Sequence, residues 1–249
     1  MAKVLFYTLG NSDIHFYAKE AKQRPRNFQE ITQKLYHQLE EENLEVNKEN
    51  LAFKPHVDPL LIEVEVAKNT TETQIISSID FPILKDLLKI LNKSSHRPDK
   101  IYFFYTQQEN GTYTKQDTIF LAQLIQIWLI KTKGYQEKDI CLEKISENPS
   151  DHDVMAQFFY HWVKKHLKEL QYYSHVFSQL TAGTPAMILG LSFALTGFGL
   201  NPLVYYQPYQ QEPKKVDFFN KAQEEKEEEI LKKFLDSMNY KGALTFFQS

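Results

Sequence analysis

One stretch limits the fold more than any other: Ser178-Gln-Leu-Thr-Ala-Gly-Thr-Pro-Ala-Met187. Ahead of it, Ser174–Leu180 has the β-branched and aromatic content of a short buried strand. Behind it, Ala186–Phe198 is apolar nearly all round, the composition of a helix buried on several sides. Between them lies a helix start, with Thr184 as N-cap and Pro185 at the first helical position. Gly183 permits a positive φ or a close backbone approach. N–H groups at such a start, together with the positive end of the helix dipole, suit a phosphate. A capped core helix in an α/β sheet accounts for the same residues without any ligand.

The N-terminus repeats the pattern. Lys3–Thr8 reads as a strand, and Leu9-Gly-Asn-Ser-Asp13 follows at once as a turn of short polar residues. In an open parallel sheet, ligands bind beyond the carboxyl ends of the strands. Two such turns meeting there make one polar pocket, with phosphates expected against N–H groups near Gly10, Asn11, Gly183 and Thr184. Further strands are expected at 60–66, 100–105, 139–145 and 202–206, giving six with those at 3–8 and 175–180. Helices are expected near 27–42, 81–91, 118–131 and 154–170, with Asp117 capping the third. The alternation predicts an α/β fold: a mostly parallel six-stranded sheet with helices on both faces. Residues 216–249 form a helical extension, whose charged helix from Gln223 carries Ile230, Leu231, Phe234 and Leu235 as its apolar stripe.

The strand at 100–105 ends in the long polar segment 106–118, so Thr106, Gln107 and Lys115 join the candidate contacts at the same sheet edge. Asp151, His152 and Asp153 invite a metal reading, but helix capping explains them, and no second cluster with ligand spacing appears. No metal and no cofactor are expected. A net charge of −3 argues against a general nucleic-acid coat. The single cysteine, Cys141, fits a reducing cytoplasm. The longest apolar run, Ala186–Leu195, is shorter than the ~20 residues of a membrane span.

Thr8-Leu-Gly-Asn-Ser-Asp13 after a first strand, with Thr181-Ala-Gly-Thr-Pro-Ala-Met187 opening a late helix, resembles the CRISPR-associated Rossmann-fold (CARF) domains of type III CRISPR accessory proteins. The resemblance covers about residues 1–215 and implies a Rossmann-like sensor domain. It implies a homodimer that binds cyclic oligoadenylate across its two-fold axis, with 216–249 as either the start of a linker to an effector domain or a short dimerising tail. The ligand contacts it implies are Thr8, Gly10, Asn11, Ser12, Asp13, Thr181, Ala182, Gly183, Thr184, Pro185 and Met187. Some such domains also cut the ring slowly without a metal; Ser12, Thr184 and Lys115 are the residues placed to assist. Many carry a HEPN ribonuclease, whose Arg is followed four to six residues on by His. The three arginines here, Arg24, Arg26 and Arg97, have no His at that spacing. The other readings are an enzyme acting on a mononucleotide or sugar phosphate and a transcriptional regulator. The first is short of a base, since Asp13 is the sole acid in either turn; the second is short of a basic tail, since residues 223–229 are acidic.

Overall fold

The computed structural model describes residues 2–16, 28–41, 79–108, 114–208, 211–216, 228–229 and 232–233. The chain divides into two compact units, Met1–Lys214 and Lys215–Ser249. In the second, Glu228, Glu229, Lys232 and Lys233 are helical, and an ion pair of 2.7 Å joins Lys233 to Glu229. The rest of the expected charged helix, and the expected strand at 60–66, lie outside the described residues.

The strands are β1 (Lys3–Thr8), β2 (His15–Phe16), β3 (Ile79–Asp80), β4 (Lys100–Thr106), β5 (Ile140–Ile145), β6 (His175–Gln179), β7 (Leu203–Tyr206) and β8 (Lys214–Val216). The helices are α1 (Phe28–Glu41), α2 (Pro82–Lys93), α3 (Ile119–Lys133), α4 (His152–Leu170) and α5 (Pro185–Gly197). Six strands form one sheet in the order β5-β4-β1-β6-β7-β8; β2 and β3 pair antiparallel on their own. The pairings β1–β4, β1–β6, β4–β5 and β6–β7 are all parallel. This is the Rossmann-like α/β sheet the sequence predicts, except that a strand at Lys214–Val216, where no strand is expected and whose Val216 falls in the expected helical extension, completes the six.

β1 lies at the centre because both of its faces are apolar. Val4 and Phe6 join one core with α4 and α5, while Leu5 and Tyr7 join the other with α1, α2 and α3. Phe6 stacks on Tyr102 at 5.4 Å and meets the edge of Trp162 at 5.9 Å, tying β1, β4 and α4 together. The helices are assigned to faces by their apolar stripes. α2 turns Ile83, Leu84, Leu87, Leu88 and Leu91 inward, and α4 turns Met155, Phe159, Trp162 and Val163. Asp151 caps α4, accepting from the N–H groups of Asp153 and Val154 at 3.0 and 3.1 Å, so the acids beside His152 serve the helix. Asp117 does not cap α3. Thr118 occupies that position without a side-chain cap bond.

Sequential strands run outward from β1 in opposite directions, first to β4 and β5, then to β6 and β7. The chain therefore reverses its winding between β1 and β6, and at such a point the loops after the two strands part to opposite faces. α5, which follows β6, is less enclosed than its composition predicts. Ala186, Met187, Gly190, Leu191, Ala194 and Leu195 are buried, but Leu189 and Phe193 keep 41% and 64% of their surface exposed. α5 meets α4 at Gly190, where an added Cβ would lie 2.8 Å from the carbonyl oxygen of Met155. Gly190→Ala is expected to lower unfolding free energy by about 1–3 kcal/mol, the usual cost of overpacking. Gly197→Ala in the same helix meets nothing within 4 Å and should leave it near unchanged. Urea denaturation of the two variants beside the parent measures the difference.

Candidate ligand-binding site

The turn after β1 is shaped by a buried carboxylate. Asp13 accepts a hydrogen bond from the Tyr7 hydroxyl at 2.5 Å on one oxygen and from the Gly10 N–H at 2.7 Å on the other. Its own N–H returns to the Gly10 carbonyl at 3.0 Å. Tyr7 and Asp13 are both fully buried. Burial pushes the Asp13 carboxyl up to about 7 from its ordinary 3.8, against the opposing pull of the Tyr7 and Gly10 hydrogen bonds. Burial, with the Asp13 carboxylate beside it, raises the Tyr7 hydroxyl well above its ordinary value. Asp13 thus builds the turn from within, and the Gly10 N–H expected to face a phosphate is committed to it.

The turn after β6 is held from below and from both sides. The Gln179 side-chain oxygen accepts the Ala182 N–H at 3.0 Å. Thr181 Oγ1 accepts the N–H of Gln207, beyond β7, at 2.7 Å. Thr184 caps α5 by accepting the Met187 N–H at 3.2 Å, and its hydroxyl donates to the Pro149 carbonyl in the turn before α4. Pro185 is the first residue of α5, as the sequence predicts.

The two turns touch through their backbones. Thr8 Oγ1 donates to the Ala182 carbonyl at 2.6 Å. Gly183 has φ +86°, and a Cβ there would fall 2.6 Å from Thr8 Oγ1. A Cβ on Gly10 would fall 2.7 Å from the Gly183 nitrogen. Both positions therefore demand glycine, Gly183 for conformation and space and Gly10 for space alone.

The segment after β4 reaches the same edge. Thr106 and Thr118 close its base, with the Thr106 N–H on Thr118 Oγ1 at 2.9 Å and the Thr118 N–H on the Thr106 carbonyl at 3.1 Å. Asp117, buried, accepts the Gln108 N–H at 2.8 Å and its side-chain amide at 3.2 Å, which is why it is absent from the helix cap. The Gln107 N–H donates to the Ile145 carbonyl at 3.0 Å. The Asn11 amide donates to the side-chain oxygen of Gln116, next to exposed Lys115, and joins this segment to the first turn.

Of the residues singled out from sequence, Thr8, Asp13, Thr106, Ala182 and Met187 are buried and work inside the fold. Met187 packs into the core shared by α4 and α5. Gly10, Asn11, Ser12, Gln107, Thr181, Gly183 and Thr184 form a half-buried rim, with Pro185 and Lys115 exposed beside it. Sequence reasoning missed Gln116, Pro149, Gln179 and Gln207, which hold the rim from outside the two motifs. Gln179 Nε2 and Ser178 Oγ are buried with no hydrogen-bond partner among the described residues. Among those residues no three His, Cys, Asp or Glu side chains gather to hold a metal, and no helix is long and apolar enough to cross a membrane.

Scanned against profiles of known families, the sequence matches none, and no curated protein matches it. Its structure resembles that of Enterococcus italicus Csm6 bound to cyclic hexa-2'-fluoro-hexa-dAMP, with a TM-score of 0.52 at 13% identity. The alignment covers 98% of this chain but 49% of Csm6, so the chain spans about half the length of that protein. At this identity the two share a fold.

Asp13 gives the site a pH signature. A group that holds its proton more tightly folded than unfolded adds stability that is complete below about pH 4 and lost as the pH rises through about 7. The loss attributable to Asp13 is on the order of 4 kcal/mol. Asp13→Asn is expected to flatten unfolding free energy between about pH 4 and 7, as read by denaturant titration at each pH. A variant retaining the parent's slope would assign that slope to other groups.

Proposed function

We propose that this chain is a CARF-type sensor unit that binds a cyclic oligoadenylate second messenger of type III CRISPR defence across a homodimer. The observation that carries the reading is the meeting of two polar turns at the winding reversal between β1 and β6. The same fold serves Csm6, whose structure holds a cyclic hexanucleotide analogue. The rim is neutral and polar. It ends at the start of a capped helix, where backbone dipoles favour an anion without a cluster of basic side chains. A two-fold dimer presents each turn twice, matching a ring of repeated nucleotides. α5 supports the dimer, because it leaves the rim at Thr184, carries no charged residue and exposes Leu189 and Phe193. A helix face without charge can face its own copy without repulsion.

An enzyme acting on a mononucleotide or sugar phosphate is the weaker reading. It needs a general base, and both oxygens of Asp13 are already engaged inside the turn. Slow opening of the bound ring draws support from the Asn11–Gln116 bridge, which sets the 114–116 segment and Lys115 beside the turn bearing Ser12. In that reaction a ribose 2′-oxygen attacks the neighbouring phosphorus as the bond to the 5′-oxygen breaks. The proton passes to the departing 5′-oxygen, and a 2′,3′-cyclic phosphate remains.

Calorimetry with cyclic tetra-adenylate and cyclic hexa-adenylate tests the sensor reading. One ring is expected per two chains, and absence of binding to both overturns it. Gly183→Ala, which drives a methyl group into Thr8, is expected to weaken binding at least tenfold. Incubation of excess protein with labelled ring in EDTA, resolved by chromatography, reads cleavage. Intact ring after hours excludes it, and cleavage unchanged by Ser12→Ala and Lys115→Ala removes those residues from it.

A further inference from the structure

At the sheet edge opposite the rim, two histidines far apart in sequence face each other. His96 lies in the loop between α2 and β4, and His175 opens β6; their ring centroids are 4.9 Å apart, tilted by 47°. We propose that His96 and His175 form a two-imidazole site for a divalent transition-metal ion, completed by water. Each ring has a serine hydroxyl beside Nδ1, at 3.1 Å in both cases: Ser174 for His175 and Ser94 for His96. Each hydroxyl also has backbone carbonyls for its own proton, Ala2 at 3.0 Å for Ser174, and Ile90 and Leu91 at 3.1 Å for Ser94. With its proton so placed, the hydroxyl accepts from Nδ1–H, and the neutral ring offers its Nε2 lone pair to a metal. An outer hydroxyl that orients the ring through its other nitrogen is the usual support of a metal-bound histidine.

The spacing agrees. With about 2.0–2.1 Å between metal and nitrogen, two imidazoles on one ion have centroids about 4.6–5.3 Å apart for angles of about 90–109°. Both rings are half-buried and so reachable from solvent. Both segments are anchored where the chain enters β1. Ser174 N–H bonds the carbonyl of Ala2, just before the strand, and Asp99 N–H bonds that of Lys3, its first residue, each at 2.8 Å. Ser95, with φ 59°, holds its left-handed conformation while its carbonyl accepts Lys3 Nζ at 2.7 Å. His96 is thus held in place before any ion arrives, and an ion would clamp the α2–β4 loop to β6. Imidazole pairs take copper more tightly than nickel or zinc.

The test is titration of tag-free, chelator-stripped protein with Cu2+, Ni2+ and Zn2+, followed by calorimetry and thermal unfolding. One ion per chain is expected, tightest for Cu2+, with a rise in Tm that grows with metal concentration. His96→Ala and His175→Ala should each lower affinity at least tenfold and abolish the rise, while metal-free circular dichroism stays as in the parent. Ser174→Ala should weaken binding and keep its stoichiometry; His161→Ala, on α4, should change nothing. Electron paramagnetic resonance of the Cu2+ form should show two nitrogen ligands. Absence of binding, or binding that survives both His96→Ala and His175→Ala, overturns the assignment.

Discussion

Two stretches of backbone, Leu9–Asp13 and Thr181–Thr184, approach each other more closely than side chains allow, and the rest of the rim is arranged around that contact. The parallel pairing of β1 with β6 brings the turns to one level, and the absence of a Cβ at Gly10 and Gly183 lets them close. Thr8 then joins them with a hydrogen bond that neither turn could make alone. Because the winding reverses between these strands, α1 to α3 and α4 with α5 depart to opposite faces and leave the turns between them accessible.

The electrostatics follow from the same closure. A carboxylate drawn into a fully buried position needs partners, and Tyr7 and Gly10 supply them. Asp13 therefore spends its hydrogen-bonding capacity on the turn and offers the rim no exposed negative charge. Asp117 does the same for the segment after β4. The two acids nearest the site act as internal fasteners, and an anionic ligand meets backbone dipoles and neutral side chains.

Much of this was legible in the residues because it is local. The capped start of α5 follows from Thr184 and Pro185, and the central place of β1 from its unbroken apolar run. Other features were hidden because they depend on partners distant in sequence. Nothing near Asp117 reveals that Gln108 would claim its carboxylate in place of the α3 cap. Nothing near Thr184 reveals the carbonyl of Pro149. Lys214–Val216 is too short and too basic to show a strand's period, and it is a strand only because the sheet offers an edge. Periodicity also could not show that Leu189 and Phe193 stay exposed, since an all-apolar helix has no polar side to identify its outer face.

The partners of the Thr8–Ala182 hydrogen bond are separated by 174 residues. A ribosome adding about 5–20 residues each second takes roughly ten to thirty-five seconds to cover that interval. Throughout it β1 exists with both faces apolar and its neighbour β6 not yet made, and Thr8 has no Ala182 to hold. Contacts of such sequence separation are late and slow to form. The contact at the centre of the rim is consequently absent from every nascent chain that ends before Ala182, so a chain able to hold a ligand there is one in which β6 has already been made beside β1.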